Sequence, residues 1–147
     1  MKPTLRYKKL SPSAIVPTYG SAAAAGADLY ALPEGDTVIA SGETKLIHTG
    51  IAVEIPEGYM GLIFARSGLA TKRGLAPANK VGVIDADYRG EIMVALYNQS
   101  GEEQTVAAGE RVAQLVITPF LAVNFEECDE LTNTERGVGG FGSTGAK

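Results

Sequence analysis

The sequence predicts an all-β protein, a barrel or sandwich of short strands with one short helix. Four segments are rich in strand-favouring residues: "TKLIHTGIAVEI", "YMGLIFAR", "EIMVALYNQ" and "RVAQLVITPF". Turn signals such as "PEG", "ASGE", "YRGE" and "AAGE" recur at intervals of about ten residues, which is typical of β-sandwiches and barrels. Helix signals are scarce: "RSGLATKRGL" is the best candidate, with Ser67 as its N-cap and Gly74 as its stop.

The other segments continue this pattern along the chain. "SAAAAGADL" contains helix-favouring alanines, but Gly26 and Asp28 interrupt them, so we expect small-residue packing that leads into a strand. "VGVIDADYRG" predicts a strand that ends at a hairpin tip, where Gly90 lets the chain return into "EIMVALY". From Asp129 the chain becomes polar, so we predict one β domain over residues 1–128 and an arm over residues 129–147.

Composition limits the classes of function. With 147 residues and 20% charged residues, the chain is typical of one globular domain. The net charge of −4 argues against a nucleic-acid-binding protein, and no apolar run is long enough to cross a membrane. Because Cys128 and His48 are the only residues of their types, a zinc site of such ligands is excluded, and any metal should be a hard cation bound by oxygens. A lone cysteine suits a reducing compartment, so we expect a cytoplasmic protein.

Two polar residues, Arg66 and Ser67, follow the apolar segment "GLIF" where the chain enters the predicted helix. The first turn of a helix has free N–H groups and a positive potential, so with an arginine beside it this turn is a candidate anion site. The alternative is structural, with Ser67 capping the helix and Arg66 lying on the surface.

Asp85 and Tyr88 make "VGVIDADYRG" the most informative internal stretch. Aspartate is a favoured turn residue, which accounts well for Asp87 but less well for Asp85, because we expect Asp85 to lie on the strand. A carboxylate there is ionised at neutral pH and could orient and deprotonate a water molecule. Tyr88 at the tip could cover one face of a flat or sugar-like ligand.

Gln114 and Asp28 are polar residues in apolar surroundings, and each has two interpretations. Strand alternation places Val112, Gln114 and Val116 on one face, where an amide needs hydrogen-bond partners. Gln114 is therefore either a structural amide with internal partners or a ligand-binding group. Asp28 is either a turn carboxylate or a group that supports a site.

The segment "ERGVGGFGSTGAK" matches the letters of the G-x-G-x-x-G dinucleotide fingerprint. That motif requires a strand before it and a helix after it, and neither is predicted here. One interpretation is a disordered glycine-rich terminus. The other is a phosphate-binding segment, because Arg136 is a fork-shaped phosphate donor and Phe141 offers a stacking face.

Five segments, in order, resemble the motifs of the trimeric deoxyuridine triphosphate nucleotidohydrolase (dUTPase) family: "AGADL", "ARSG", "GVIDADYRGE", "GERVAQ" and "RGVGGFGSTG". They extend from Ala25 to Gly145, and the third and fifth are long and specific. One departure is visible, because the second motif often begins with proline and here begins with Ala65. Alanine in place of proline affects the rigidity of the backbone that leads to Arg66.

The resemblance implies a jelly-roll-like distorted β-barrel with a flexible C-terminal arm, assembled as a homotrimer with active sites at subunit interfaces. It implies Mg²⁺-assisted hydrolysis of dUTP to dUMP and diphosphate, which keeps uracil out of DNA and supplies dUMP for dTMP synthesis. The metal is expected to bind through substrate phosphates and waters, without a direct protein ligand. No nucleic-acid or membrane partner is expected.

The resemblance also implies roles for individual residues. Asp85 resembles the residue that activates the water attacking the α-phosphorus, and Asp28 resembles a supporting carboxylate near metal-bound waters. The residues similar to the uracil and deoxyribose pocket are Asn79, Val83, Ile84, Asp85, Tyr88 and Met93. Those similar to phosphate ligands from neighbouring subunits are Arg66, Ser67, Gly68 and Gln114. Those similar to the closing arm, in which Phe141 stacks on uracil, are Arg136, Phe141, Gly142, Ser143 and Thr144.

Three alternative functions stay open at this point. A dCTP deaminase on a related fold, alone or bifunctional, would need an acid–base carboxylate beyond Asp85 in the pocket, and none is evident. A catalytically silent member that only binds nucleotide or protein fits poorly with the presence of Asp85, Arg66 and Arg136. A structural jelly roll without a ligand leaves the five segments unexplained.

Overall fold

The computed structural model describes residues 4–141, which form strands and one short helix, α1 (Ser67–Arg73). The strands are β1 (Arg6–Lys9), β2 (Thr18–Tyr19), β3 (Ala27–Tyr30), β4 (Thr37–Ile39), β5 (Thr44–His48), β6 (Ile51–Glu54), β7 (Tyr59–Phe64), β8 (Leu75–Pro77), β9 (Gly82–Ile84), β10 (Met93–Asn98), β11 (Gln104–Val106) and β12 (Arg111–Pro119). The predicted all-β class with one short helix is confirmed. No helix in the described range is long and apolar enough to span a bilayer.

The strands form antiparallel sheets that join distant parts of the chain. The largest sheet has the order β2-β3-β12-β7-β9, and a second has the order β5-β10-β8. Two further pairs are β1-β6 and β11-β4. Because β12 pairs with both β3 and β7, the last strand holds together the N-terminal and middle parts of the described chain.

One hydrophobic core lies between the sheets. Its fully buried side chains include Leu29 on β3, Leu75 on β8, Leu96 on β10 and Val112 on β12. β3, β7 and β10 turn alternate side chains inward, so short strands suffice to fill the core. Burial of one such aliphatic side chain contributes about 1.5–3 kcal/mol, and this packing fixes the sheets relative to each other.

The helix begins and ends at two well-defined backbone positions. Arg66, with φ −85° and ψ 131°, is the N-cap, so the prediction of Ser67 as the cap is wrong. The extended backbone after β7 continues through Arg66, whose carbonyl accepts the N–H of Ala70 at 3.0 Å. The predicted stop at Gly74 is confirmed by its φ of 66°. A side chain there would also come within 2.9 Å of the Ser100 backbone nitrogen.

β12 departs from strict alternation near its start. Val112 and Ala113 are both fully buried, and the register with β3 shifts between Arg111 and Ala113. A β-bulge of this kind inserts one residue into a strand and changes which face the following side chains occupy. The predicted face shared by Val112, Gln114 and Val116 therefore does not extend to Val112, whereas Gln114 and Val116 are both half-buried.

The loop from β9 to β10 connects two different sheets. β9 pairs with β7, whereas β10 pairs with β5 and β8, so within the described residues β9 and β10 do not form the closed hairpin that the sequence predicts. Pairing with strands distant in sequence overrides the local turn. Asp85 follows β9, which ends at Ile84, and does not lie on the strand as predicted. The two strands diverge and leave a cavity between them.

The chain leaves the sheets at Pro119, where β12 ends. Residues 119–138 are all exposed, including the apolar side chains of Leu121 and Phe125 and the thiol of Cys128. The predicted boundary between residues 128 and 129 lies inside this exposed stretch. We refer to residues 120–141 as the arm.

Candidate active site

A pocket of about 310 Å³ opens where β9 and β10 diverge. The residues predicted to surround a base and a sugar all line it, namely Asn79, Val83, Ile84, Asp85, Tyr88 and Met93. Its other lining residues, which were not predicted from the sequence, are Leu46, Ile63, Pro77, Gly82, Glu91, Ile92, Val94 and Ala95. A mainly apolar wall with a few polar groups is the usual composition of a small-molecule site.

The backbone of β9 is available to a ligand in this pocket. β9 is the last strand of its sheet, so one edge pairs with β7 and the other carries N–H and C=O groups outside that ladder. Space beside the strand is tight, since a Cβ at Gly82 would lie 3.3 Å from the Ile63 Cβ and 3.4 Å from the Asn79 Nδ2. A flat ligand at the open edge can therefore be selected by its hydrogen-bonding pattern.

Asp85 lies at the rim of the pocket, in a turn held by main-chain bonds. Its carbonyl accepts the N–H of Tyr88 at 3.2 Å. The Arg89 guanidinium donates to the carbonyls of Ala86 at 2.6 Å and Tyr88 at 2.9 Å. Because these bonds use carbonyl groups of the main chain, they hold the turn without occupying the exposed Asp85 carboxylate.

Glu91 anchors the other end of the same loop to the β5–β6 turn. Its Oε1 accepts the N–H of Gly50 at 2.8 Å, and its Oε2 lies 2.9 Å from His48 Nδ1. Burial acts to raise the pKa of Glu91, but the hydrogen bonds from His48 and Gly50 outweigh burial and hold that pKa below its ordinary value. The side chain is therefore a carboxylate at neutral pH. Its sequence signal is a Gly-Glu pair after a turn, which recurs at Gly109 and Glu110.

A second set of predicted residues gathers at the opposite end of β7, and we call it the arginine group. Arg66 Nε donates to Asp28 Oδ1 at 2.9 Å, and Arg111 Nη1 donates to Asp28 Oδ2 at 3.3 Å. Two guanidinium groups against one carboxylate leave a positive charge that suits an anion. Gln114 faces Asp28 across the β3–β12 ladder and donates to the Ala65 carbonyl at 2.8 Å. Arg111 was not predicted, because its link to Asp28 depends on strand pairing.

Strand register sets the geometry of the arginine group. Asp28 lies inside β3, so its interpretation as a turn carboxylate is wrong. Gly26 leaves room for Gln114, because a Cβ at Gly26 would lie 2.6 Å from the Gln114 Oε1. The Gln114 amide donates to the Ala65 carbonyl, so it has the internal partner that the structural interpretation requires. Ser67 and Gly68 form the first turn of α1, whose N–H groups have no partner within the helix.

Asp85 and the arginine group lie toward opposite ends of β7. Ile84, which precedes Asp85, faces Gly61 across the β7–β9 ladder. Arg66 lies further along the chain past the far end of β7, and at about 3.3 Å per residue the five steps from Gly61 correspond to roughly 16 Å.

Arg136 and Phe141 lie in the arm. Arg136 Nε donates to the Gly139 carbonyl at 2.9 Å, inside its own turn. Phe141 is fully exposed and has a φ of 50°. The other residues predicted for the closing arm, Gly142, Ser143 and Thr144, lie outside the described residues. The contacts predicted for the arm stay predictions.

The chemistry of the available donors bears on the expected metal ion. Within residues 4–141, no three side chains of histidine, cysteine, aspartate or glutamate converge where they could hold an ion. Both oxygens of Asp28 already accept hydrogen bonds from arginines. Remaining lone pairs on a carboxylate can still accept hydrogen bonds from water, so Asp28 fits a hydrated hard cation that arrives with a ligand.

Sequence comparisons relate the chain to known proteins. A family model described as dUTPase matches residues 12–145. A deoxyuridine 5'-triphosphate nucleotidohydrolase of Hydrogenobaculum sp. (strain Y04AAS1) is 50% identical over 143 residues, which cover 97% of this chain and 99% of that protein. A protein of the same name from Syntrophotalea carbinolica is 46% identical over 142 residues, with 97% of each chain covered.

Solved structures give the same relationship. A variant of the Staphylococcus bacteriophage 80alpha dUTPase with dUpNHpp has a TM-score of 0.90 and 30% identity, and the match covers 98% of this chain and 99% of that chain. A variant of the dUTPase from phage phi11 of S. aureus, described with a structural Mg(II) ion, has a TM-score of 0.81 and 27% identity, with 89% and 100% covered. The jelly-roll-like β fold implied by the resemblance is confirmed.

Proposed function

The chain belongs to the dUTPase family, and from this premise we propose that it hydrolyses dUTP to dUMP and diphosphate by attack of water on the α-phosphorus. One observation carries the proposal: the pocket between β9 and β10 is lined by all of the residues predicted for uracil and deoxyribose, with Asp85 at its rim. A volume of about 310 Å³ is enough for a nucleoside, and the phosphates would extend past Asp85.

Uracil is selected by the open backbone edge of β9 together with Asn79. Main-chain N–H and C=O groups match the O4 acceptor and the N3–H donor of uracil, whereas cytosine presents the reverse pattern. A mismatch leaves buried polar groups without partners, which is the stronger form of discrimination. The close approach of Ile63 and Asn79 around Gly82 leaves little room for the additional methyl group of thymine.

Asp85 acts as the general base. Its carboxylate accepts a proton from the water while the water oxygen forms a bond to the α-phosphorus. The bond from that phosphorus to the oxygen bridging to the β-phosphate breaks, and diphosphate leaves. General-base assistance is worth about 10²–10⁴ in rate, so positioning and charge neutralisation supply the remainder.

The phosphates are bound by the arginine group of another copy of the chain. Arg66 and Gln114 contact phosphate oxygens, with the first-turn N–H groups of Ser67 and Gly68 beside them. Asp28 holds the Arg66 guanidinium in one orientation at 2.9 Å. Because Asp85 and Arg66 lie toward opposite ends of β7, with roughly 16 Å of extended backbone from Gly61 to Arg66, we propose shared sites in a homotrimer. Arg136 and the segment from Phe141 to Thr144 close over the bound nucleotide.

The substrate is proposed to enter with Mg²⁺ bound to its phosphates. The ion would be held by phosphate oxygens and waters, with Asp28 accepting hydrogen bonds from those waters. Bound Mg²⁺ neutralises charge on the phosphates. Removal of dUTP would keep uracil out of DNA and supply dUMP for dTMP synthesis, and we propose a cytoplasmic location.

The deciding experiment measures diphosphate release from dUTP, dCTP, dTTP and UTP, with and without Mg²⁺. We expect rapid release from dUTP, at least about 10²-fold slower release from the other nucleotides, and strong dependence on Mg²⁺. Ammonia is assayed in parallel with dCTP. Ammonia formation without diphosphate would identify a deaminase and overturn the proposal.

A further inference from the structure

Tyr88 folds back over the main chain at Gly90. A Cβ at Gly90 would lie 2.6 Å from Cζ of the Tyr88 ring and closer still to its hydroxyl. The φ of Gly90 is not in the left-handed region, so the backbone conformation alone does not require glycine there. The close approach of the aromatic ring does. Any side chain at position 90 would push the ring away from its place beside the pocket.

A hydrogen bond also fixes this hydroxyl end of the ring. The Tyr88 hydroxyl donates to the main-chain carbonyl of Glu91 at 2.9 Å. The orientation of Tyr88 therefore depends on where the main chain at residue 91 lies. The Arg89 guanidinium donates to the carbonyls of Ala86 and Tyr88 and so holds the main chain on the other side of the loop.

The side chain of Glu91 helps to hold that main chain, together with the bonds of Ile92, which donates to the Ile51 carbonyl at 2.8 Å and accepts from the Thr49 hydroxyl at 2.6 Å. The Glu91 carboxylate accepts the Gly50 N–H at 2.8 Å, in the β5–β6 turn, and lies 2.9 Å from His48, the last residue of β5. That turn is closely packed, since Gly50 has a φ of 67° and a Cβ there would lie 2.8 Å from Leu32 Cδ1. Glu91 thus links the two: its carboxylate binds the β5–β6 turn, and its main-chain carbonyl binds the Tyr88 hydroxyl.

We propose that Glu91 is a positioning residue that holds Tyr88 over the sugar, and that Gly90 and Glu91 together set the preference for 2'-deoxyribose over ribose. This proposal rests on the proposed function, in which Tyr88 contacts the sugar. The physical reason is that a hydroxyl group is excluded only by a surface that does not yield. A ring that can move away admits the 2'-hydroxyl at little cost.

Glu110 provides a matched control. It also follows a glycine in a turn, accepts a backbone N–H, from Ala107 at 2.9 Å, and pairs with a cationic side chain, Arg73. The two glutamate side chains have similar exposure, 21% for Glu91 and 25% for Glu110. Glu110 does not line the pocket between β9 and β10. Loss of either carboxylate should lower stability, but only loss of Glu91 should alter sugar selection.

The test measures binding of the non-hydrolysable analogue dUpNHpp and of its ribose counterpart by calorimetry, in the presence of Mg²⁺. The variants are Gly90→Ala, Glu91→Ala, Glu91→Gln and Glu110→Ala, each checked for folding by circular dichroism. We expect the ratio of the two dissociation constants to fall about tenfold in Gly90→Ala and Glu91→Ala. Glu91→Gln retains an oxygen that can accept the Gly50 N–H, so its ratio should be close to that of the wild-type protein. Glu110→Ala should have the wild-type ratio.

An unchanged ratio in folded Glu91→Ala, or an equal fall in Glu110→Ala, would overturn the proposal. If Gly90→Ala does not fold, the comparison of Glu91→Ala with Glu91→Gln decides by itself. The proposed function is tested separately by diphosphate release from dUTP by the wild-type protein. Absence of that release would reject the hydrolase, whereas the binding ratio needs no turnover and would still decide the role of Glu91.

Discussion

The pocket between β9 and β10 and the arginine group around Asp28 are built in opposite ways. The pocket takes most of its lining from residues 77–95, a short and nearly continuous part of the chain. The arginine group joins Asp28, Arg66 and Arg111 from three separate segments through strand pairing. Its carboxylate side chain is 14% exposed and bonded on both oxygens, whereas Asp85 is exposed at a rim.

This difference shows how each region obtains its precision. A ligand-shaped surface can be made locally by two strands that diverge, because mostly main-chain groups and apolar walls are needed. Charged groups that must point in one direction need partners fixed by the sheet, because long side chains lose rotamer freedom when they are ordered. We therefore expect substitutions in the pocket to act on chemistry and selection, and substitutions in the arginine group to act on phosphate binding.

The largest effect should come from Asp85→Asn. The amide keeps the size of the side chain but cannot accept a proton from water, so we expect kcat for dUTP to fall by about 10²–10⁴ while the affinity for dUpNHpp stays within about twofold. Steady-state kinetics and calorimetry measure the two quantities. Asp87→Asn, in the same turn, is the control and should retain near-normal kcat; near-normal kcat in Asp85→Asn would remove Asp85 from the role of base.

Arg66→Ala tests whether the two regions meet between chains. Loss of the guanidinium should lower kcat/KM by about 10²-fold, since a charged hydrogen bond to phosphate is lost. Co-refolding equal amounts of Arg66→Ala and Asp85→Asn should then restore about a quarter of the wild-type activity, because some interfaces combine two intact residues. If both residues act within one chain, mixing restores nothing, and the proposal of shared sites fails.

Gly26→Ala should have a smaller effect, confined to the arginine group. The new methyl group would meet Gln114 Oε1, so the amide must move or the strand must shift. We expect KM for dUTP to rise several-fold and the free energy of unfolding to fall by about 1–3 kcal/mol. Gly20→Ala is the matched control, because nothing lies within 4 Å of the position that its methyl group would occupy. Equal behaviour of the two variants would contradict the packing argument.

The smallest effect concerns pH and the loop beside the pocket. The pKa of Glu91 is lower in the folded protein than its ordinary value of 4.5, so its contribution to stability is complete above that value and is lost as the pH falls below it. Glu91→Gln lacks this contribution at every pH. We expect the difference in Tm between wild type and Glu91→Gln to shrink as the pH falls from 6 to 3.5. A constant difference, measured by calorimetry, would contradict this assignment.

Local sequence patterns predicted the parts of the fold that depend on local physics. The alternating apolar runs correspond to β5–β6, β7, β10 and β12, and Gly74 ends the helix as its position in the sequence indicates. The N-cap lies one residue before the predicted position. The backbone is still extended at Arg66, and the helix begins at the next residue. The bulge at Val112 likewise depends on which strands lie on either side of β12.

The pocket and the arginine group differ in how much of them the sequence could predict. The resemblance supplied six residues for the pocket, and all six line it in the structure. Glu91 was not predicted, because its partners, His48 and Gly50, lie more than forty residues away in the sequence. Arg111 was missed for the same reason. The opening between β9 and β10 also has no local signal, since "DADYRG" would serve equally well as the tip of a closed hairpin.

Cys128 gives the wild-type chain a built-in reporter. It is the only thiol in the sequence and lies exposed in the arm, eleven residues before Gly139, which accepts the hydrogen bond of Arg136. A maleimide fluorophore would therefore attach at one known position without any substitution. Its anisotropy, followed during mixing with nucleotide in a stopped-flow instrument, would test the proposed closing of the arm and time it against the release of diphosphate.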